Sequence, residues 1–203
     1  MRSIAMDGMA ERPSYASYIV IPARLHSTRL PRKLLLRDTG KSLIQHTYEA
    51  ARRAARPRGV CVAADHEEIA AEVRSFGGEV YMTSPACASG TDRIAEIAPQ
   101  LGGVEIIVNV QGDEPELSGD TIDLVIRLLE ENPSAVMSTL ATPIRTREQL
   151  NDPSCVKVVF AKKGSERYSG WIAGNNQAVF APENSSDPFF ALYFSRSPIP
   201  HAR

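Results

Sequence analysis

The sequence lacks the features that would place it in a membrane, on nucleic acid or in an oxidising compartment. No apolar run approaches the roughly 20 residues of a membrane span, and the first fifteen residues lack the apolar segment of a secretory signal. The formal net charge is −1 over 203 residues, whereas proteins that hold a phosphate backbone carry a basic excess. The three cysteines (Cys61, Cys87 and Cys155) form no CxxC pair, which disfavours a zinc site and a disulfide framework. We therefore expect a cytoplasmic protein with neither a nucleic-acid nor a membrane partner.

Apolar runs and amphipathic stretches alternate along the chain. Short apolar runs predict strands at residues 18–21, 60–63, 79–82, 106–110, 136–140 and 156–160. Helical spacing of apolar residues predicts helices at residues 41–54, 65–76, 92–98 and 118–129. The run at residues 106–110 is apolar at nearly every position, which predicts a strand buried on both faces. This alternation predicts an α/β fold with a Rossmann-like, doubly wound and mostly parallel sheet.

The pattern also predicts how the chain is divided. Residues 1–16 mix charge, Pro and Gly, and we expect a disordered N-terminal tail there. Residues 17–203 form one domain. Within it, the periodicity fails at about residues 164–188, where Gly, Asn, Ser and Pro gather around Trp171, the only tryptophan. We expect a flap or insertion in that stretch. Asp65, two residues after the strand predicted at 60–63, is the expected N-cap of the next helix.

A basic segment follows the first predicted strand. Its members are four cations and two hydroxyl side chains: Arg24, Arg29, Arg32, Lys33, Ser27 and Thr28. Ligands of open α/β sheets bind outside the carboxyl ends of the strands, and Arg and Lys are the usual partners of phosphate oxygens. The segment matches neither the P-loop nor the dinucleotide-binding glycine pattern. It predicts a triphosphate-binding loop, and the alternative is a solvated basic loop without a ligand.

Two further polar turns follow predicted strands. Gln111, Gly112 and Asp113 come directly after the run at residues 106–110, and a carboxylate there suits Mg²⁺, which takes one or two carboxylates together with phosphate oxygens and water. The alternative for Asp113 is a turn or cap residue. The turn at residues 89–91 is equally compatible with a helix cap and with a ligand contact.

Several segments, taken in order, resemble one known family. They are IPAR at 21–24, STRLP at 27–31, SGTDR at 89–93, NVQGDEP at 109–115, VKVV at 156–159 and ALYFSR at 191–196. Over about residues 18–203 the chain resembles the 3-deoxy-manno-octulosonate (Kdo) cytidylyltransferases, which are sugar nucleotidyltransferases. The resemblance implies the fold of the nucleotide-diphospho-sugar transferases. It also implies transfer of CMP from CTP to Kdo, giving CMP-Kdo and pyrophosphate for lipopolysaccharide synthesis.

The resemblance also implies which residues bind CTP. The residues implied to hold the triphosphate are Arg24, Ser27, Arg29 and Lys33. The turn implied to face the cytosine consists of Ser89, Gly90 and Thr91. Because the reaction is a phosphoryl transfer, positioning and neutralisation of phosphate charge carry most of the catalysis.

The remaining implied roles concern the metal and the sugar. Asp113 is implied to bind the Mg²⁺ cofactor, and Gln111 and Arg196 to contact the sugar acid. Arg24, Lys33 and Asp113 are therefore the expected catalytic residues. The resemblance further implies a homodimer.

The chain departs from the family pattern in two ways that bear on activity. Arg32 stands where the family usually has Gly, which adds bulk and charge beside the expected phosphate site. The family continues for several tens of residues beyond position 203, with a second metal-binding Asp and much of the dimer contact, so we expect a weakened homodimer. The alternatives are a cytidylyltransferase for another acidic sugar of the sialic-acid type and a CTP-binding remnant with little turnover.

Overall fold

The computed structural model describes residues 15–26, 30–162, 177–182 and 189–199. The strands are β1 (Ser17–Ala23), β2 (Val60–Ala64), β3 (Glu79–Met82), β4 (Ile106–Asn109), β5 (Ala135–Ala141), β6 (Lys157–Lys162), β7 (Gln177–Pro182) and β8 (Phe189–Ser195). The helices are α1 (Leu43–Ala51), α2 (Glu67–Ser75), α3 (Gly90–Ile97), α4 (Gly119–Glu130) and α5 (Arg147–Asn151). Short 3₁₀ turns lie at Lys33–Leu35 and Ala98–Gln100. Within these ranges no helix is both long enough and apolar enough to cross a membrane.

The first sheet is parallel and has the order β3-β2-β1-β4. β1 pairs with β2 from Ile19↔Val60 onward and with β4 from Ser17↔Ile106 onward. Parallel strands with intervening helices confirm the predicted α/β fold. The expectation that the fourth strand is buried on both faces is wrong. In the described sheet β4 lies at an edge, where Ile107 is half-buried and Asn109 is exposed.

Helices cover both faces of the first sheet. Successive residues of a strand point to opposite faces, so Ile19 and Ile21 of β1 enter one core and Val20 the other. The larger core, against α1, α2 and α4, includes Ile19, Ile21, Val62, Ile44, Ile69, Val73, Ile122 and Ile126. The smaller core, against α3, includes Val20, Cys61, Ala63, Ile94 and Ile97. This two-sided covering is what makes the sheet doubly wound.

Serine side chains begin three of the helices. Ser42, Ser89 and Ser118 each accept a hydrogen bond from the backbone N–H three residues later, which satisfies a donor that the first helical turn leaves unpaired. The expectation that Asp65 caps α2 is wrong. His66 is the N-cap, and its side chain accepts from the N–H of Glu68. The carboxylate of Asp65 instead accepts hydrogen bonds from Leu25 and Arg93.

The second sheet is mixed and has the order β5-β7-β8-β6. β5 and β7 are parallel, whereas β8 runs antiparallel to both β7 and β6. β7 lies inside the stretch for which a flap or insertion was expected, and residues 177–182 form a strand of the second sheet. The rest of that stretch, residues 164–176 and 183–188, lies outside the described residues. The sequence patterns also missed α5, which begins at a capping box between Thr146 and Gln149.

The described chain begins inside the region predicted as a disordered tail. Residues 1–14 lie outside the described residues. Ala16 is only 5% exposed, and its N–H donates to Oε2 of Glu105 at 3.1 Å. Its carbonyl accepts from the N–H groups of Glu105 and Ile106. Ala16 is therefore held beside β4, and it belongs to the folded domain rather than to a tail.

Arg32 has an unfavourable backbone conformation. Its φ of 57° is left-handed, and no other non-glycine residue in the described ranges has a positive φ. For a residue with a Cβ this costs roughly 1–2 kcal/mol. The Arg32 side chain forms an exposed ion pair with Glu68 of α2, and such pairs stabilise by about 0–1 kcal/mol. The free-energy cost of the backbone conformation therefore exceeds the stabilisation by the ion pair.

Arg32→Gly is expected to raise the free energy of unfolding by about 0.5 kcal/mol, after the greater flexibility of glycine in the unfolded chain is subtracted. Thermal denaturation measures the change. Arg32→Ala is the control, because it removes the same ion pair and keeps the Cβ, and it should lower the melting temperature or leave it unchanged. A melting temperature that falls as far for the glycine variant as for the alanine variant contradicts the prediction.

Candidate functional site

A cleft opens at the carboxyl ends of the strands of the first sheet. Its volume is about 300 Å³. It is lined by the end of β1 and the residue after it, the turn before α3, two residues of α3 and one residue after β4: Pro22, Ala23, Arg24, Cys87, Ala88, Ser89, Gly90, Arg93 and Gln111. Since ligands of α/β sheets bind at this end of the strands, the cleft is the candidate active site.

One wall of the cleft is the basic segment after β1. Arg24 is exposed and lines the cleft. Ser27 and Arg29, which were predicted to bind phosphate, lie outside the described residues. Lys33 begins the 3₁₀ turn further along the segment. Of the cations that the structure describes in this segment, Arg24 lines the cleft, whereas Lys33 is not among the described lining residues. Both are exposed or half-exposed, as contact with an anionic ligand requires.

Lys33 and Asp113 are brought together although 80 residues separate them. Nζ of Lys33 donates to Oδ2 of Asp113 at 2.6 Å. Both side chains are substantially exposed, at 37% and 45%, so solvent screens the ion pair and it contributes little stability. The importance of the contact is spatial. The lysine expected to meet phosphate and the carboxylate expected to bind a metal lie side by side.

A buried hydrogen bond from α1 anchors the turn that carries Asp113. The hydroxyl of Thr47 on α1 donates to the carbonyl of Gly112 at 2.9 Å, and this hydrogen bond is buried. A Cβ on Gly112 would lie 3.2 Å from Cδ2 of Leu34 and 3.4 Å from the carbonyl oxygen of Pro22. Glycine thus lets the turn approach both β1 and the 3₁₀ turn of the basic segment. Burial raises the pKa of the next carboxyl, Glu114, and the charge of Asp113 raises it further.

The opposite wall of the cleft is the turn that begins α3. Ser89 caps the helix, and its hydroxyl accepts from the N–H of Asp92 at 3.1 Å. A Cβ on Gly90 would lie 3.1 Å from Cγ of Pro22, so glycine allows this turn to approach β1 closely. Thr91 is exposed and is not among the described residues that line the cleft. The cap that the sequence predicted is confirmed, and Ser89 and Gly90 also face the cleft.

The two residues predicted to contact a sugar acid lie apart. Gln111 lines the cleft, and its Nε2 donates to Oδ1 of Asn109 at 2.9 Å. Arg196 follows β8 in the second sheet, and its Nη1 donates to the carbonyl of Pro153 at 3.0 Å. Arg196 is exposed and is not among the described residues of the cleft. The structure therefore brings Gln111, but not Arg196, to the cleft.

Sequence reasoning missed Arg93 and the role of Asp65. Arg93 lines the cleft and is only 4% exposed, and its Nη2 donates to Oδ2 of Asp65 at 3.2 Å. The sequence signal for Asp65 was its position immediately after β2. Asp113 also lies just beyond a strand end, four residues after β4. A carboxylate in either position lies near the end of the sheet where ligands bind.

The donor atoms near the cleft suit a metal that is bound mainly by its substrate. No cluster of three or more His, Cys, Asp or Glu side chains able to hold a metal occurs in the described part of the chain. Asp113 supplies an exposed carboxylate beside the basic wall. Mg²⁺ commonly takes one or two carboxylates and completes its shell with phosphate oxygens and water. The residues present therefore fit Mg²⁺ that arrives with a triphosphate.

Several known proteins are similar to this chain in sequence, and a solved structure is similar to it in fold. A family model described as cytidylyltransferase matches residues 18–203. The 3-deoxy-manno-octulosonate cytidylyltransferase of Rhodopirellula baltica is 45% identical over 185 residues, which cover 91% of this chain and 64% of that protein. The corresponding protein of Geobacter sulfurreducens is 44% identical and is covered to 63%. A solved structure of CMP:2-keto-3-deoxy-manno-octonic acid synthetase complexed with CTP matches with a TM-score of 0.75 at 36% identity, over 93% of this chain and 67% of that one. The chain thus spans slightly less than two thirds of the curated relatives it matches.

Proposed function

This chain belongs to the cytidylyltransferase family, and from that premise we propose that it transfers CMP from CTP to 3-deoxy-manno-octulosonate, releasing pyrophosphate. The observation that carries the proposal is the contact of 2.6 Å between Lys33 and Asp113. It puts a cation suited to phosphate next to a carboxylate suited to a metal, and Asp113 lies two residues after Gln111, which lines the cleft. The names of the relatives at 44–45% identity support Kdo as the acceptor.

In this reaction the anomeric hydroxyl of Kdo attacks the α-phosphorus of CTP. A P–O bond to the sugar forms while the bond to the pyrophosphate group breaks, and the hydroxyl proton is lost to solvent or base. Arg24 and Lys33 neutralise the triphosphate and hold it in line with the acceptor, and the turn at Ser89 and Gly90 faces the cytosine. Asp113 would hold Mg²⁺, which would supply further charge neutralisation at the phosphates. The protein acts mainly by positioning and electrostatics.

The proposal extends to the sugar, the assembly and the compartment. Gln111, which lines the cleft, contacts the sugar acid. The pairing of Arg196 with the sugar carboxylate stays a prediction, because Arg196 is not among the described residues of the cleft. The protein works in the cytoplasm in lipopolysaccharide synthesis and forms a homodimer. The second sheet carries the exposed apolar side chains that a dimer contact would cover. They are Val136, Met137, Phe160, Tyr193 and Phe194, each at least 44% exposed.

Pyrophosphate release tests the proposed reaction. The 203-residue chain is incubated with CTP and Mg²⁺ and with either Kdo or N-acetylneuraminate, and CTP binding is measured in parallel by calorimetry. We expect release with Kdo and none with the sialic acid. Release only with the sialic acid overturns the choice of sugar. CTP binding without release from either sugar assigns the chain as a CTP-binding form with little turnover, and the proposed activity falls.

Replacing Lys33 or Arg24 with alanine is expected to weaken CTP binding, because each loses charge-assisted contacts with the phosphates. Such contacts contribute about 1.5–3 kcal/mol each, which corresponds to a roughly 10–150-fold higher dissociation constant. Calorimetry with CTP and Mg²⁺ measures the dissociation constant of each variant. Lys41→Ala is the matched control, since Lys41 forms a similar exposed ion pair with Glu49 at 2.7 Å. If both variants bind CTP as tightly as the original chain, the segment is a solvated basic loop without a ligand.

A further inference from the structure

A buried arginine stands between the two walls of the cleft. Arg93 projects from α3, the helix whose first turn carries Ser89 and Gly90. Its side chain is 4% exposed, and that of its partner Asp65 is 12% exposed. An arginine is almost never buried this deeply unless it is paired. The proposed reaction assigns no role to Arg93 or Asp65, so the pair needs a separate explanation.

The guanidinium of Arg93 reaches the segments that follow β2 and β3. Nη1 donates to the hydroxyl of Thr83 and to the carbonyl of Ser84 at 3.3 Å, and Nη2 donates to Oδ2 of Asp65 at 3.2 Å. Thr83 is itself held against β2, because its N–H and its hydroxyl both donate to the carbonyl of Ala64. Arg93 thus fixes α3 to the carboxyl ends of two strands at once.

Asp65 extends this connection to the basic wall. Its Oδ1 accepts from the N–H of Leu25 at 2.9 Å, and its own N–H donates to the carbonyl of Ala23 at 3.3 Å. Ala23 and Leu25 flank Arg24 in the chain. A continuous path of hydrogen bonds therefore runs from the helix of the Ser89 turn, through Arg93 and Asp65, to the backbone on both sides of Arg24.

The ion pair also compensates the negative charge of Asp65 beside the cleft. A lone carboxylate buried behind a triphosphate site would repel the ligand and would be poorly solvated. Arg93 compensates that charge, and both oxygens of Asp65 accept hydrogen bonds in the structure. Removal of either partner leaves the other buried without its counter-charge, which is far more costly than the loss of an exposed pair.

We propose that Asp65 and Arg93 are positioning residues for the nucleotide: their ion pair sets the separation of the Ser89 turn from the Arg24 segment and so tunes affinity for a ligand that spans both. The inference rests on the proposed function, because CTP is the ligand that reaches from the cytosine-facing turn to the phosphate-binding segment. Inorganic tripolyphosphate occupies only the basic wall, and its binding does not depend on that separation.

Calorimetry with CTP and with tripolyphosphate tests the inference on the full 203-residue chain and on Arg93→Lys, Arg93→Met and Asp65→Asn. Couplings of this kind change affinity by a few-fold to about a hundredfold, and we expect CTP to bind at least about tenfold more weakly to Arg93→Met. Arg93→Lys keeps the charge but not the forked geometry, and its loss should be smaller. Tripolyphosphate should bind all variants with an affinity within about twofold of the original chain, since its contacts lie on one wall.

Tyr48→Phe is the matched control for loss of buried hydrogen bonds. The Tyr48 hydroxyl donates to the carbonyl of Val60 and accepts from the N–H of Glu79. These groups lie at the amino ends of β2 and β3, at the opposite end of the strands from the cleft. Tyr48→Phe should lower the melting temperature and leave the affinity for CTP unchanged. If Arg93→Met does not fold, Arg93→Lys and Asp65→Asn still decide.

Three results overturn the inference in distinguishable ways. If the original chain does not bind CTP, the proposed function fails and the inference fails with it. If the original chain binds CTP and the Asp65 and Arg93 variants bind it equally well, the inference alone fails. If the affinities for CTP and tripolyphosphate fall in parallel, the ion pair stabilises the fold in general and does not set the separation of the two walls.

Discussion

Asp113→Asn is expected to lower pyrophosphate release by about a hundredfold or more. Metal-assisted charge stabilisation contributes several kcal/mol to such transition states, and each 1.36 kcal/mol is a factor of ten in rate. Asparagine keeps the size of the side chain but removes the charge that attracts Mg²⁺. It also releases Lys33 from its ion pair, so the effect on the metal must be measured separately.

Calorimetry of CTP with and without Mg²⁺ makes that separation. In the original chain Mg²⁺ should strengthen CTP binding, and in Asp113→Asn this gain should be lost. Glu49→Gln is the matched control, because it breaks an equally exposed ion pair, with Lys41, at 2.7 Å. The control should keep both the rate and the Mg²⁺ effect. Near-normal release by Asp113→Asn, or an undiminished Mg²⁺ effect, contradicts the assignment of Asp113 as the metal ligand.

Gly119→Ala is expected to destabilise the protein by about 1–3 kcal/mol, although alanine normally favours a helix over glycine by up to roughly 1 kcal/mol. Gly119 opens α4 where that helix meets the end of α1. A Cβ there would lie 2.7 Å from three backbone atoms, the carbonyl carbon and oxygen of Arg53 and the nitrogen of Ala54. Backbone atoms cannot rotate away as a flexible side chain can, so one helix must shift and the shared core loosens.

Thermal denaturation measures the loss. For a domain of this size about 1–3 kcal/mol corresponds to a melting temperature lower by roughly 2–12 °C. Gly102→Ala is the control, because nothing lies within 4 Å of a Cβ built on Gly102. That variant should melt within about a degree of the original protein, as surface substitutions usually do. Equal melting temperatures for the two variants would show that α4 moves without cost.

Elements that depend on local pattern were predictable from the sequence. The alternation of apolar runs and amphipathic stretches gave the α/β fold, and the serines before α3 and α4 marked both helix starts. The polar turns after β1 and β4 pointed to the end of the sheet where the cleft lies. Each of these rests on neighbouring residues, whose spacing is visible in the chain itself.

Elements that depend on distant contacts were not predictable. Asp65 looks like a helix cap locally, but it bonds to Leu25 and Arg93, which lie 40 and 28 residues away. The sequence around β7 is rich in Gly, Asn, Ser and Pro, and its pairing with β5 across some forty positions defines it as a strand. The apolar run at β4 indicated burial correctly at Ile106 and Val108, but periodicity cannot tell an edge strand from a central one. The chain order of the strands does not give their order in the sheet.

The arrangement of the two sheets along the chain determines when each can fold during synthesis. All four strands of the first sheet lie before residue 110, and every described residue that lines the cleft lies before residue 112. The second sheet differs, because β5 and β6 pair only with strands near the end of the described chain. At about 5–20 residues per second, the chain from Asn109 to Ser195 takes roughly 4–17 s to leave the ribosome. During that interval the half that carries the cleft can become compact once α4 has emerged, while the apolar strands β5 and β6 remain unpaired. The second sheet is therefore the part of the nascent protein that is most exposed to aggregation.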